Sequence, residues 1–339
     1  LTALVLALLL TLSVGAAGTA GFSDVPESHW AAQSIRRCAQ YNLLQGVGGG
    51  RFGLGRTMTR AAYATALCRL MSWELVTPEK GSFTDNQDTA KWYYSAIETA
   101  YAHGALTGES RQCRPNDAIT RGEMAKMTVR ALGLAVLSGA AADDCPFSDV
   151  SVAQGYVALA YRMGIIKGVS AYNFEPKKEA TREQAAAVLL RTYDRLHAAI
   201  KVTEAADGSA PSGCVTAGSI TEESGSVPVS PRAPMEEVYA AAVRAGEGGS
   251  VALRAVPLLQ VTRAGAVTDT RELTEGELIE LLSEGTLRTR RSAQHESSCG
   301  YRTEKDGSVT VVWYESETDI AEKTELCRLL GIGNVYVLK

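Results

Sequence analysis

The 339-residue sequence lacks the marks of several functional classes. Its seven cysteines form no C-x-x-C pair and its four histidines are scattered, so a zinc site has no support. The chain contains no G-x-S-x-G, H-E-x-x-H or P-loop motif, which leaves no familiar catalytic centre and no cofactor to predict. Lys and Arg total 34 against 38 Asp and Glu, a net charge of −4 without a long basic run. Because nucleic-acid binding needs a concentrated positive face, a nucleic acid is a poor candidate for the main partner.

The first twenty residues carry no charge at all. A short Leu/Ala run at 4–12 is followed by small residues that end before Gly21. A membrane span needs about 20 strongly apolar residues, and this run is shorter. We therefore expect residues 1–20 to be a cleaved export signal rather than an anchor.

One pattern occurs three times between Phe22 and Leu196. Each copy has a Phe-x-Asp start, a glycine in the middle and a Thr-Arg pair, and the Thr-Arg pairs are 61 residues apart. These markers are Phe22, Gly46 and Thr59, then Phe83, Gly108 and Thr120, then Phe147, Gly168 and Thr181. The regular spacing predicts three repeats at 21–75, 82–136 and 146–198.

Each repeat is predicted to be helix, loop, helix. The threonine of each Thr-Arg pair is placed to cap the second helix, and Glu123 and Gln184 are placed to return the bond in the second and third copies. Ala62 cannot do so in the first. The arginine after each cap has no capping role, and a positive charge is mildly disfavoured in a first helical turn. Its threefold recurrence predicts a shared anionic ligand, bound by the guanidinium together with exposed helix N–H groups.

The order F-x-D-V, Trp, apolar helix, Gly, F-x-P, T-R-x-E resembles the S-layer homology family. The resemblance implies a mainly α-helical, pseudo-threefold spindle that binds secondary cell-wall polysaccharides non-covalently, often through pyruvylated sugars. A pyruvate ketal would supply the carboxylate that the arginines require. The ligand contacts that the resemblance implies are Asp24, Trp30, Arg60, Asp85, Trp92, Arg121, Asp149 and Arg182. In the third copy Val152 aligns with the tryptophans and Tyr156 is the candidate substitute, so we expect unequal grooves.

The repeat register also interprets three cysteines. Cys38, Cys68 and Cys113 align with apolar residues of the other copies. Buried cysteine behaves as a small hydrophobic residue, so we expect inert core thiols.

After the repeats, residues 199–233 are rich in Ser, Gly, Pro, Thr and Glu and are expected to be a linker. Residues 234–339 are predicted to be a small α+β domain, with helices near 234–244, 274–283 and 319–330 and a hairpin around Asp306-Gly307. The segment 307–338 is similar to the final strand, helix and strand of family-eighteen, chitinase-like glycosidases. The D-x-x-D-x-D-x-E run of those enzymes is absent, and 106 residues are too few for a barrel of about 250. Glu277, Glu280 and Glu315 are interpreted as solvated charges.

The sequence thus predicts an exported cell-surface protein without enzymatic activity, whose repeats anchor it to an anionic cell-wall polysaccharide. It leaves open a wall-directed glycoside hydrolase acting through the C-terminal domain, a protein-binding helical scaffold, and self-assembly in a surface layer. If the arginines are surface groups, Arg121→Ala should weaken wall binding without unfolding the repeats.

Overall fold

The computed structural model describes residues 21–108, 111–205, 209–217, 234–292 and 297–339. The expected export signal at 1–20 and residues 218–233 of the expected linker lie outside the described residues. In the described ranges, no helix is long and apolar enough to cross a bilayer. The same ranges contain no group of three or more His, Cys, Asp or Glu residues that could hold a metal ion.

Each of the three repeats consists of two helices joined by a loop. The helices are α1 (Ala32–Gln40) and α2 (Arg60–Leu70), α3 (Tyr94–Ala102) and α4 (Arg121–Ala131), and α5 (Gln154–Arg162) and α6 (Arg182–Leu196). Thr59 caps α2 by accepting from Ala62 N at 3.2 Å. The predicted return bonds are confirmed at the starts of α4 and α6, where Glu123 and Gln184 accept from the N–H groups of Thr120 and Thr181.

The repeats close into a pseudo-threefold ring just before their second helices. Met58 N donates to Ala180 O at 2.9 Å, Ala180 N donates to Ile119 O at 2.8 Å, and Ile119 N donates to Met58 O at 2.8 Å. These three residues are 61 positions apart, so the cyclic bonding repeats the period of the sequence. No repeat satisfies these backbone groups alone, which makes the three copies one folding unit.

The first helix of each repeat packs against the second helix of the preceding one. The pairs in contact are α3 with α2, α5 with α4, and α1 with α6, which closes the ring. Small residues at these contacts let the helices approach closely. Cys38, Cys68 and Cys113 are all buried in this core, as predicted, and burial raises the pKa of the Cys68 thiol to about 11.

The C-terminal domain has two sheets and three helices in the described ranges. A parallel sheet has the order β1-β9-β3-β2 and an antiparallel sheet has the order β5-β4-β8-β7-β6. The helices are α7 (Met235–Ala245), α8 (Glu275–Ser283) and α9 (Glu317–Leu329). The strands are β1 (Lys201–Ala205), β2 (Val215–Ala217), β3 (Ser250–Arg254), β4 (Leu258–Arg263), β5 (Ala266–Glu272), β6 (Arg288–Ser292), β7 (Ser297–Thr303), β8 (Val309–Tyr314) and β9 (Asn334–Leu338). A mainly helical N-terminal half followed by a small α+β domain is the fold class that the sequence predicted.

Two details of the C-terminal half differ from the sequence-based expectation. The interval 199–233 is not a simple linker, because β1 and β2 lie within it and both belong to the parallel sheet. Glu315 is not a solvated charge, because its side chain is 3% exposed and accepts from Lys323 Nζ at 2.6 Å. Both differences arise from partners that composition does not reveal, because the strand partners are distant in sequence and Lys323 is eight residues after Glu315.

The third repeat and the C-terminal domain share one continuous apolar core. One buried cluster includes Leu137 and Ala141, from the segment between repeats 2 and 3, together with Val238 of α7 and Leu326 of α9. A polar contact reinforces this junction, since Tyr239 donates its hydroxyl to Asp144 at 2.7 Å. The strand β1 also follows α6 after four residues, so the chain passes from repeat to sheet without a flexible spacer.

Candidate functional site

The repeated aspartates hold the loop that precedes each second helix. Asp24 accepts from the N–H groups of Phe52, Gly53 and Leu54 at 2.7, 2.8 and 3.1 Å. Asp85 accepts from Cys113 N and Arg114 N, and Asp149 accepts from Phe174 N and Glu175 N, all at 2.7 to 2.9 Å. Each carboxylate therefore fixes its own loop, and the structure gives the three aspartates a loop-holding role.

Burial of the aspartates acts to raise their pKa values, but the backbone N–H groups outweigh it and the pKa of each lies below the ordinary 3.8. A carboxyl whose folded pKa is below its unfolded pKa stabilises the fold above the unfolded value. That stability is lost as the pH falls through the folded value. We therefore expect the free energy of unfolding to drop as the pH is lowered below about 4.

Replacing one of these carboxylates should reduce that dependence. Asp149→Asn retains one acceptor for two N–H donors, so we expect a loss of about 0.5–1.5 kcal/mol at pH 7, limited by the exposure of Asp149, and a shallower decline in acid. Urea unfolding measured from pH 7 to pH 2.5 tests this. Asp117→Asn is the control, because the Asp117 side chain is 58% exposed and its nearest cation is 3.9 Å away. If Asp149→Asn and wild type have equal stability and equal pH dependence, the hydrogen bonds from Phe174 N and Glu175 N to Asp149 contribute little to stability.

The repeated arginines reach from one repeat into the loop of the next. Arg60 Nε donates to Cys113 O at 2.8 Å, Arg121 Nε to Phe174 O at 2.8 Å, and Arg182 Nε to Phe52 O at 3.0 Å. The accepting residues are the same positions that the aspartates hold. The guanidiniums of Arg121 and Arg182 also lie 4.5 and 4.9 Å above the rings of Phe174 and Phe52. The arginines thus tie the ring together, which explains why a positive side chain recurs in a first helical turn.

This geometry corrects two expectations about the arginines. The helix N–H groups beside them are not exposed for a ligand, since the backbone N–H groups of Arg60, Arg121 and Arg182 donate to carbonyl oxygens of the next repeat at 2.9 to 3.0 Å. Arg121 is also not a surface charge, because it is 7% exposed. The premise of a surface arginine is therefore wrong, and we now expect Arg121→Ala to destabilise the fold.

Three grooves follow from these contacts, one at each junction of repeats. Each groove is defined by the arginine of one repeat and the second helix of the next. Groove 1/2 lies between Arg60 and α4, groove 2/3 between Arg121 and α6, and groove 3/1 between Arg182 and α2. Groove 2/3 has a cavity of about 280 Å³ whose edge is formed by Trp30 and Lys167. Its other lining residues are Arg121, Met124, Ile166, Gly168, Val169, Phe174, Gln184, Ala187, Val188 and Arg191.

The two predicted tryptophans are the solvent-facing members of the predicted site. Trp30 is 61% exposed and Trp92 is 67% exposed, which is unusual for such large apolar side chains. Trp30 precedes α1, which packs on α6, and so borders groove 2/3. Trp92 precedes α3, which packs on α2 and so lies toward groove 3/1.

The third repeat lacks this exposed ring. Val152 is 76% exposed at the aligned position. Tyr156 is half-buried, with its hydroxyl accepting from Arg130 at 3.3 Å and its ring 5.8 Å from Lys126 Nζ. The expected inequality of the grooves is therefore visible in their aromatic walls.

Sequence reasoning missed some groove residues that a further repeat comparison could have found. Arg69, Arg130 and Arg191 are also 61 residues apart. Arg130 donates to Gly104 O at 2.7 Å and Arg191 to Ile165 O at 3.3 Å, and each of these two lines its groove. Lys167 of groove 2/3 has no such periodic signal.

The repeats match a known protein family and are similar to parts of several curated proteins. A family model described as "S-layer homology domain" matches residues 21–64, 82–125 and 146–186. The chain is 33% identical over 179 residues to an amylopullulanase of Thermoanaerobacterium thermosulfurigenes, covering 50% of this chain and 9% of that protein. It is 33% identical over 175 residues to exoglucanase XynX of Acetivibrio thermocellus, covering 50% of this chain and 16% of the relative. It is 29% identical to an S-layer protein of Bacillus thuringiensis subsp. finitimus, covering 57% and 24%. The chain thus spans about a tenth to a quarter of the length of these relatives.

Solved structures give a weaker likeness. The Bacillus cereus spore cortex-lytic enzyme SleL aligns with a TM-score of 0.30 and 12% identity, over 41% of this chain and 37% of that one. A chitinase of Chromobacterium violaceum aligns with a TM-score of 0.28 and 16% identity, over 63% and 69%. These scores are too low to establish a common fold. The repeat register, the closed ring and the three family matches together show that residues 21–186 hold three S-layer homology domains.

Proposed function

We propose that this protein is exported and held on the bacterial cell wall by its repeats, which bind an anionic, pyruvylated secondary cell-wall polysaccharide. Groove 2/3 is the main binding site. A surface location fits the range of relatives, since an S-layer protein, an amylopullulanase and an exoglucanase are all similar to the repeat half of this chain.

The observation that carries the proposal is the composition of groove 2/3. It combines an exposed indole, Trp30, with the cationic side chains of Arg121, Lys167 and Arg191 around one cavity. An aromatic face covers the apolar side of a sugar ring, and the cations suit a carboxylate. The volume of about 280 Å³ is near the lower end of small-molecule sites, so it fits a terminal sugar rather than a long chain segment.

The charge of this groove is available to a ligand even though Arg121 already donates hydrogen bonds. Its Nε and Nη2 donate to Phe174 O and Lys167 O at 2.8 and 2.9 Å. Carbonyl oxygens are neutral, so these bonds hold the guanidinium without cancelling its charge. In the part of the chain that the structure describes, no carboxylate forms an ion pair with Arg121. Asp149 and Glu175 act on Arg121 electrostatically without direct contact, so a bound carboxylate would be the first anion to pair with it directly.

Sedimentation with purified cell-wall sacculi tests the proposal. We expect the full chain to sediment with native sacculi and to stay in solution after acid treatment has removed the polysaccharide. Trp30→Ala should weaken binding about tenfold or more, since exposed tryptophan anchors often carry more than 1.4 kcal/mol of binding energy.

Leu75→Ala is the matched control, because Leu75 is 55% exposed and lies outside the lining of groove 2/3. It should bind like the wild type. Because Trp30 is exposed, its replacement should leave the unfolding transition unchanged, which separates lost binding from lost structure. Undiminished sedimentation with acid-stripped sacculi would reject the polysaccharide as the ligand.

A further inference from the structure

The three grooves differ in the third residue of the second helix. This position holds Ala62 in groove 3/1, Glu123 in groove 1/2 and Gln184 in groove 2/3. In grooves 1/2 and 2/3 this residue lies near the arginine that the preceding repeat contributes to the same groove, Arg60 and Arg121 respectively. Its charge therefore affects the electrostatic surroundings of that arginine.

In groove 1/2 the arginine already has an internal anion. Glu123 accepts from Arg60 Nη1 at 2.9 Å and forms a second ion pair with Arg114. Burial acts to raise the pKa of Glu123, but the Thr120 N–H and the two guanidiniums outweigh it and hold the pKa below the ordinary 4.5. The carboxylate is therefore ionised at neutral pH. It neutralises the Arg60 guanidinium that an anionic ligand would need.

Groove 1/2 is also the smaller groove. Its cavity measures about 40 Å³, against about 280 Å³ for groove 2/3. Lys126 lines groove 1/2 at the position where groove 2/3 has Ala187, which is a much smaller side chain. A space of 40 Å³ holds a water molecule or two but no sugar ring.

Groove 2/3 keeps the same helix cap without the charge. Gln184 Oε1 accepts from Thr181 N at 3.2 Å, so the amide serves the cap as Glu123 does in repeat 2. The hydrogen-bond acceptors of Arg121 are neutral carbonyl oxygens, and Asp149 and Glu175 act on it electrostatically without forming an ion pair. The cap is thus compatible with either residue, and the choice between them sets the electrostatics of the groove.

We infer that Glu123 is a selectivity residue that closes groove 1/2 to anionic sugars, and that Gln184 keeps groove 2/3 open to them. This inference rests on the proposed wall-binding function. It assigns groove 1/2 a structural role. It also predicts that replacing the amide nitrogen of Gln184 by a carboxylate oxygen is enough to prevent binding in groove 2/3.

The test is a charge exchange at the two aligned positions. Gln184→Glu should reduce binding to native sacculi at least tenfold, because the new carboxylate would pair with Arg121 and repel an anion. Gln184→Ala removes the capping side chain without adding charge and should stay within about threefold of wild type. Glu123→Gln should bind at least as well as wild type, since it removes the anion that pairs with Arg60 and groove 1/2 contributes no binding that could be lost. Soluble methyl hexoside carrying a pyruvate ketal, titrated by calorimetry, should give the same order of affinities.

Circular dichroism and urea unfolding of each variant show whether it is folded, and the glutamate variant should fold because glutamate also serves the cap. Wild-type affinity in Gln184→Glu, or loss of binding in a folded Glu123→Gln, would overturn the inference while leaving the proposed function standing. Equal losses in Gln184→Glu and Gln184→Ala would also overturn it, because the effect would then come from the cap. Absence of sedimentation by the wild type itself would reject the proposed function, and the inference with it.

Discussion

Arg121→Ala should destabilise the repeats by about 3 kcal/mol. The guanidinium makes two charged hydrogen bonds to carbonyl oxygens, worth about 1.5–3 kcal/mol each when lost from a buried site, and it stacks on Phe174. Alanine would leave Phe174 O and Lys167 O without these donors. Since these residues belong to repeat 3 and Arg121 to repeat 2, the loss should loosen the junction between the two repeats.

Urea unfolding measures the total loss, and hydrogen–deuterium exchange of peptides around 165–184 locates it. Arg36→Ala is the matched control, because Arg36 is 51% exposed and its nearest carboxylate oxygen is 3.9 Å away. It should change the free energy of unfolding by less than about 0.5 kcal/mol. Arg121→Lys should fall between the two, since one ammonium cannot reach both carbonyls in the planar geometry of a guanidinium. An unfolding midpoint for Arg121→Ala equal to that of Arg36→Ala would contradict the inter-repeat role.

The arginines show both the reach and the limit of sequence reasoning here. The 61-residue register located Arg60, Arg121 and Arg182 and gave the correct helix starts. It could not reveal that the acceptor of each arginine is in another repeat. Arg182 and Phe52 are 130 residues apart, and only ring closure brings them together. The recurring charge led us to predict a shared anionic ligand, whereas the contact that the structure shows for each Nε is a backbone carbonyl of the next repeat.

The repeated aspartates and tryptophans also have different roles that the sequence alone did not distinguish. The family resemblance groups them as one ligand set, yet Asp24 is used by three backbone N–H groups and Trp30 is mostly exposed. Both kinds of residue mark the repeat equally well in sequence. Hydrogen bonding separates them, because the aspartate oxygens accept from backbone N–H groups of their own loops while the indoles face solvent.

In the C-terminal domain, local patterns predicted elements whose signals are local. The Thr274 cap begins α8 and the Asp-Gly turn joins β7 to β8, while α9 begins at Glu317 after a Ser316 cap and not at 319 as expected. The strand β1 was missed because its partner β9 lies some 130 residues later and its own residues are largely exposed. The exposed strand β5 was missed for a related reason, since it has no buried face to give an alternating pattern.

Lys323→Met should destabilise the C-terminal domain by about 3–5 kcal/mol, since it removes one member of a buried ion pair. Lys323 and Glu315 are each 3% exposed, with Nζ and Oε2 at 2.6 Å. Burial raises the pKa of Glu315 even with Lys323 present, although Lys323 and Ser297 oppose the shift. Without the ammonium, the carboxyl must stay buried as an unpaired charge or take up a proton, and either choice costs stability.

The double variant Glu315→Gln/Lys323→Met distinguishes the lost charge from lost packing. It removes both charges and keeps an amide oxygen for the Ser297 hydroxyl, which donates to Glu315 at 2.8 Å. We expect it to recover most of the stability lost in the single variant, because no uncompensated charge remains. Lys305→Met, at an exposed hairpin position, should cost less than about 0.5 kcal/mol. Trp313 is 5% exposed on the adjoining strand, so its fluorescence reports urea unfolding of this domain in a background where Trp30, Trp73 and Trp92 are replaced by Phe. A double variant no more stable than Lys323→Met alone would mean that the methylenes of Lys323, and not its charge, hold α9 against β8.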